Sequence, residues 1–176
     1  MLNRPVAIGA APAPALGGDC GVLVTSWATF MPGVSQERIP DVGFVDSVAT
    51  QKNLHDYLGQ PLLINFWGTW CPPCVKEIPS LDRLVSKLEA KGVHVLAPAW
   101  EKRGGLDDVR AFLTKHRVNN LKAQIDADGQ MAKAFSVHRF PSTVLVDAQG
   151  RRRGTFVGGV NWDEPRVLDT VLSSLK

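Results

Sequence analysis

The stretch Leu62-Leu63-Ile64-Asn65-Phe66-Trp67 is apolar at nearly every position. A half-solvated strand would alternate, so this run predicts a strand covered on both faces. The period then changes. Ile78, Leu81, Leu84, Val85 and Leu88 recur at helical spacing and predict an amphipathic helix over residues 75–91, stopped by Gly92. Residues 93–97 return to a strand pattern, and 106–116 predict a second helix with Val109, Phe112 and Leu113 inward. Residues 124–126 read as a short strand and 131–135 as a short helix. Residues 143–146 and 154–157 form a hairpin pattern around Asp147-Ala148-Gln149-Gly150. Residues 164–175 read as a closing helix with Pro165 in its first turn. Upstream, residues 41–49 alternate loosely as a short hairpin or strand, and Leu54, Tyr57 and Leu58 fit one amphipathic turn. The order is β-α-β-α-β-α-β-β-α. Parallel βαβ units followed by an antiparallel hairpin predict an α/β fold, with a mixed central sheet flanked by helices.

The first 38 residues do not share this patterning. From Pro5 to Val34 the only charge is Asp19, and Pro12, Pro14, Gly17 and Gly18 interrupt a small apolar stretch. This composition reads as an export signal or anchor, or as a flexible Ala/Pro leader. The expected organisation is an extension over 1–38 and one folded domain over 39–176. The net charge of +3 on 176 residues gives no footprint for nucleic acid. Arg151-Arg152-Arg153 is the one dense basic run and reads as a solvated hairpin strand. Three cysteines, Cys20, Cys71 and Cys74, are too few for a disulfide-stapled scaffold. Cys20 reads as a spare thiol or a partner in an accessory disulfide, with lipid attachment as the alternative.

The chemistry concentrates in Trp70-Cys71-Pro72-Pro73-Cys74, between the apolar strand and the first helix. A Cys-x-x-Cys pair at a helix N-terminus is a redox dithiol: the positive end of the helix and its unpaired N–H groups stabilise one thiolate. Cys71 is the candidate nucleophile, acidic and accessible. Cys74, three residues on and on the same face, is the candidate resolving thiol. Pro72 and Pro73 suit the first turn, where a missing N–H costs little. A zinc site would need a second ligand pair that this sequence lacks. Glu77 follows Cys74 by one helical turn and can exchange protons with it, or serve as a solvated helix charge. Asn65 takes an inward strand position, and its amide is no base. Pro79 falls inside the helix and predicts a kink there. Trp70 shields the pair and offers partners an apolar contact, whereas Trp67 reads as core.

A second piece, Phe140-Pro141-Ser142-Thr143-Val144-Leu145-Val146-Asp147, places a proline at the mouth of a buried strand. Pro141 is expected to be cis and to face the dithiol, where the backbone beside it can pair with an extended partner peptide. His138 reads as a surface residue; tuning the thiolate or binding copper are its alternatives.

Residues 65–79, Asn-Phe-Trp-Gly-Thr-Trp-Cys-Pro-Pro-Cys-Val-Lys-Glu-Ile-Pro, and 140–150 resemble the thioredoxin-like envelope reductases of the TlpA/ResA/CcmG type. The turn Val157-Gly-Gly-Val-Asn-Trp162-Asp-Glu-Pro is most similar to the TlpA branch. The resemblance implies a thioredoxin-like fold and a catalytic set of Cys71, Cys74, Glu77 and Pro141. Trp70, Pro72, Pro73 and Phe140 are the expected partner-contact residues. It implies a periplasmic or outward-facing monomer, free or tethered at its N-terminus, with no cofactor beyond the redox disulfide and no metal. Its expected partners are cysteine-containing envelope proteins, apocytochrome c or copper-delivery proteins, and a membrane electron donor of the thiol-reducing type. His138-Arg139-Phe140 departs from the small lead-in usual before the proline. A disulfide oxidant or isomerase, and a copper factor using Cys71, Cys74 and His138, are the competing functions. A thiol peroxidase is more remote, because Cys71 lacks the setting of a lone peroxidatic cysteine.

Overall fold

The computed structural model describes residues 28–33 and 37–176. The readings of residues 1–27 and of Cys20 lie outside the described residues. One sheet has five strands, in the order β1 (Thr29–Pro32), β9 (Arg152–Val157), β8 (Ser142–Val146), β4 (Leu62–Phe66) and β5 (His94–Leu96). β4 runs parallel to β5 and antiparallel to β8, so the sheet is mixed, as the element order requires. A second sheet of four short strands runs β3 (Gln51–Asn53), β2 (Gly43–Val45), β7 (Gln124–Ile125), β6 (Pro98–Ala99). The helices are α1 (Pro72–Glu89), α2 (Leu106–Lys115), α3 (Gln130–Ala134) and α4 (Pro165–Ser174), with a 3-10 turn at Leu54–Tyr57. This is a thioredoxin-like α/β fold. Among the described residues no helix is long and apolar enough to cross a membrane.

All five residues of β4 are buried, and its two faces serve two cores. Leu63 and Trp67 pack with Ile78, Leu81 and Leu88 of α1, and with Val167 and Val171 of α4. Leu62, Ile64 and Phe66 pack on the other side with Phe44, Leu54, Met131 and Phe135. Each fully buried Leu, Ile or Phe contributes roughly 1.5–3 kcal/mol. The strand's continuous apolar run therefore reflects two covered faces. It also places Asn65 on the α1 side, in register with Thr143.

The strand expected over 93–97 is divided. Gln124, itself buried, accepts the Ala97 N–H through Oε1 at 2.8 Å, and the chain passes from pairing with β4 to pairing with β7. α1 begins at Pro72, earlier than its apolar pattern, because the prolines occupy the first two helical positions. It runs through Pro79 as a single helix of 18 residues.

Strand β1 lies upstream of the boundary expected at residue 39. Its Phe30 is fully buried, packed at a tilt against Phe156 with ring centroids 4.7 Å apart, over Gly154, where a Cβ would come within 2.4 Å of the Phe30 ring. The three arginines are tied down rather than freely solvated. Arg151 pairs with Asp147 at 2.9 Å, Arg152 donates to Thr155 Oγ1 at 2.8 Å and pairs with Glu37, and Arg153 donates to the Ser174 carbonyl. Leu58, expected inward, is half exposed.

Candidate active site

The fold brings the two informative stretches of sequence together at one end of the central sheet. Cys71 is the N-cap of α1, with extended backbone (φ −103°, ψ 105°). Cys71 and Cys74 are joined as a disulfide with their Cα atoms 5.3 Å apart. The Cys71 N–H donates to the Gly68 carbonyl and the Cys71 carbonyl accepts from Val75, so the nucleophile sits between a tight turn and the helix. With prolines at the first two helical positions, Cys74 carries the only N–H left in the first three. That reduces the donor set expected around a Cys71 thiolate to this one group plus the helix dipole. In the disulfide form Cys71 is 3% exposed and Cys74 is fully buried. The open sulfur expected at position 71 is therefore absent from the oxidised state. Pro72 and Pro73 are exposed beside it, while Trp70 and Phe140 are half-buried.

Glu77 is no solvated helix charge. Its side chain is buried, with Oε1 accepting from Asn65 Nδ2 at 2.8 Å and Oε2 from the Val160 N–H at 2.7 Å. Burial pushes the carboxyl up to about 8, against the opposing pull of the Val160 and Asn65 hydrogen bonds. The Trp162 indole N–H also favours the anion, without reaching hydrogen-bond geometry. Asn65 Nδ2 donates as well to Thr143 Oγ1 at 2.8 Å, and Asn65 Oδ1 has no partner. When Glu77 is protonated, Val160 N–H fixes Oε2 as the acceptor, so the proton belongs on Oε1. An amide flip would then turn the Asn65 oxygen to receive it.

The Phe140–Pro141 bond is cis, as expected, and the Pro141 carbonyl accepts from Gly158 at 3.0 Å. Pro141, Phe140, Pro73 and Glu77 share an open cleft of about 570 Å³, closed on its far side by the turn Gly158-Gly159-Val160. Three residues of one α1 face fasten that turn. Glu77 holds Val160, Ser80 Oγ accepts from Trp162 N at 3.3 Å, and Arg83 binds Asp163 through two nitrogens.

Trp70, Phe140 and Trp100 form a cluster on the other rim, with ring centroids 5.5–5.7 Å apart. The Trp70 indole N–H donates to the Trp100 carbonyl at 2.8 Å, and Lys102 Nζ lies 4.1 Å from the Trp70 ring centroid. The sequence reading did not single out Trp100, Glu101 or Thr143. Trp67 is core: fully enclosed, with its indole donating to the Ala97 carbonyl at 2.9 Å.

Gly68 lies under the Trp70 ring. A Cβ there would sit 2.6 Å from Trp70 Nε1 and 2.8 Å from the Trp100 carbonyl oxygen. Gly68→Ala is therefore expected to destabilise the protein by about 2–3 kcal/mol, since backbone blocks relief on one side. Urea unfolding checks this, and an unchanged midpoint would contradict the packing described.

His138 is exposed and lines a separate hollow with Met31, Arg139 and Arg152. Among the described residues no three His, Cys, Asp or Glu side chains converge as a metal-binding group. The copper set of Cys71, Cys74 and His138 is not assembled here. What the site can do is exchange thiols for disulfides, with a buried acid one helical turn behind the second sulfur.

Comparison with known proteins agrees. The Redoxin family profile matches residues 34–172. The thiol-disulfide oxidoreductase ResA of Bacillus thuringiensis subsp. konkukian is 30% identical over 115 residues, which is 65% of this chain and 65% of that protein. The match thus spans just under two thirds of that relative's length. The structure of the thiol:disulfide interchange protein DsbE from Chlorobium tepidum superposes with a TM-score of 0.70 at 24% identity, over 82% of this chain and 99% of that one. A secreted thiol-disulfide isomerase from Corynebacterium glutamicum gives 0.66 at 26% identity, over 83% of this chain and 91% of that one. With a profile match across most of its length and ResA among its relatives, the chain belongs to the Redoxin family.

Proposed function

We propose that this protein is a thiol–disulfide oxidoreductase acting outside the cytoplasm, reducing disulfides in cysteine-containing envelope proteins. The observation that carries the direction is the pair of prolines at the start of α1. A strong disulfide oxidant needs a heavily stabilised thiolate in its reduced form. Here one N–H and the helix dipole face Cys71 in the first turn, so the thiolate gains less, the disulfide is favoured, and the dithiol gives up electrons readily.

In the working cycle the Cys71 thiolate attacks a partner disulfide. A Cys71–partner S–S bond forms, and the partner's other sulfur leaves as a thiolate. Burial holds the Glu77 carboxyl mostly protonated at pH 7, with a minority ionised. In the ionised form it takes the Cys74 proton. The Cys74 thiolate then attacks Cys71 Sγ, forming the intramolecular disulfide and expelling the partner's second sulfur. Two electrons have passed to the partner, and a membrane electron donor of the thiol-reducing type restores the dithiol. Trp70, Pro72, Pro73 and Phe140 form the contact rim, and Pro141 lies beside the partner's strand. Apocytochrome c and copper-delivery proteins are the substrate classes that the motif resemblance favours. The name of the Corynebacterium relative, a secreted protein, supports the compartment.

Trapping tests this reading. Cys74→Ser lacks the resolving thiol, so Cys71 will retain its partner as a mixed disulfide that mass spectrometry identifies. Capture of c-type apocytochromes or copper-delivery proteins is the expected result. Capture confined to cytoplasmic proteins would contradict the proposal. Equilibration with glutathione settles the direction: a value near that of thioredoxin, about −270 mV, fits a reductase, and one near −120 mV fits the oxidant reading.

A further inference from the structure

The segment after β6 lies along the approach to Cys71 and is bonded to it step by step. Ala99 pairs with Trp67 as a parallel bridge, and the Trp100 N–H donates to the Trp67 carbonyl at 2.9 Å. The Trp100 carbonyl accepts the Trp70 indole N–H at 2.8 Å. The next residue is Glu101. Its Oε1 accepts the Thr69 backbone N–H at 2.8 Å, and its Oε2 accepts the Thr69 hydroxyl at 2.7 Å. Glu101 is 8% exposed. Withdrawing a carboxylate from water carries a desolvation cost that only well-formed, charge-assisted hydrogen bonds offset. Here both oxygens are bound to one residue, two positions before the nucleophile.

The position of Cys71 depends on that approach. Its side chain makes no capping bond to α1, and its N–H reaches back to Gly68. Residues 68–70 therefore determine where the sulfur sits against the helix N-terminus. Thr69 is the middle residue of this turn, and Glu101 takes both its N–H and its hydroxyl.

We propose that Glu101 is a positioning residue for disulfide exchange: a buried two-pronged clamp on Thr69 that fixes Cys71 at the start of α1. It acts through the backbone and touches neither sulfur nor partner. The proposal rests on the dithiol-exchange reading but not on the direction of exchange or the identity of the partner.

Three variants separate its possible roles. Glu101→Ala removes both bonds and the charge. Glu101→Gln removes the charge alone, since the amide oxygen can accept from Thr69 N–H and the amide nitrogen can donate to the Thr69 hydroxyl. Thr69→Ala removes one bond only. Two quantities are read on each full-length protein, per folded molecule: the rate at which dithiothreitol opens the disulfide, and the pH midpoint for alkylation of Cys71 after reduction. In Glu101→Ala the rate is expected to fall about tenfold, as for a reacting group displaced by an ångström or less. The alkylation midpoint should move up, toward that of free cysteine. Glu101→Gln should recover most of both. Thr69→Ala should shift both in the same direction as Glu101→Ala, by less, and it serves if Glu101→Ala does not fold.

Opposite results would overturn the clamp. A purely electrostatic role lowers the midpoint in Glu101→Ala and Glu101→Gln alike, because an anion has been removed near a forming thiolate. A purely structural role lowers thermal stability and leaves rate and midpoint at wild-type values in all three. A wild-type protein whose disulfide dithiothreitol does not open would instead remove the exchange reading itself.

Discussion

Replacing Cys71 by serine is expected to abolish disulfide exchange, lowering the rate by about a thousandfold or more. A hydroxyl near neutral pH is not ionised and cannot form the mixed disulfide. Cys74 is not the expected attacker, because it lies inside α1 as its third residue whereas Cys71 caps the helix start, where the positive end of the dipole acts. The asymmetry between the two sulfurs makes this diagnostic. Cys71→Ser should capture no partner, whereas Cys74→Ser captures one and fails to release it. Insulin reduction and non-reducing electrophoresis read the two outcomes. Equal capture by both variants would mean that either sulfur can attack, contrary to the roles assigned to them.

The second large effect concerns Glu77. Glu77→Gln removes the base proposed to take the Cys74 proton, so resolution of the mixed disulfide should slow by roughly tenfold to a hundredfold. Attack by Cys71 should change little. Stopped-flow kinetics with a disulfide substrate separate the two phases, and equal slowing of both would argue against a proton-transfer role.

The same variant has a stability signature with a definite sign. The folded protein holds the Glu77 proton up to about pH 8, from an ordinary value of 4.5. Between these pH values the folded state binds the extra proton, so stability falls as pH rises, by up to about 5 kcal/mol in total. This contribution is complete below the ordinary value and is lost by the time pH passes the folded one. Asp126, also raised by burial, adds a slope of the same sign, and His94, lowered by burial, adds one of the opposite sign. The readout is therefore the difference between wild type and Glu77→Gln in urea unfolding at pH 5, 7 and 9. The variant should lose less stability across that range. Parallel curves would mean that Glu77 ionises freely in the folded protein.

The dithiol was legible because its chemistry is local. Trp70 to Cys74 lies in one stretch, and the periods on either side place it between a strand and a helix. The cis bond before Pro141 was likewise visible in a proline opening a buried strand. The burial of Glu77 was less so. Its surroundings come from Asn65 on β4, Thr143 on β8 and Val160 in the turn after β9, residues distant in sequence that the sheet order alone brings together. One signal was present: Asn65 is the single polar residue in an otherwise apolar run, and such a residue needs a buried partner. Glu101 left less trace. It follows a short strand, where a charged residue ordinarily marks a solvated loop, and its contact with Thr69 depends on the crossover from β4 to β7. Strand β1 escaped for a similar reason. Four residues pair with β9 through backbone bonds, which no side-chain pattern records.

The alkylation rate of reduced wild-type protein against pH, read separately for each cysteine by mass spectrometry, tests the central claim most directly. The account predicts that Cys71 reacts first, with a midpoint near pH 7, about the value of thioredoxin's nucleophile and well below the roughly 8.5 of free cysteine. Cys74 should stay protected until the protein unfolds. If both sulfurs titrate together like free cysteine, or Cys74 reacts first, the helix start does not activate Cys71 and the proposed cycle is wrong.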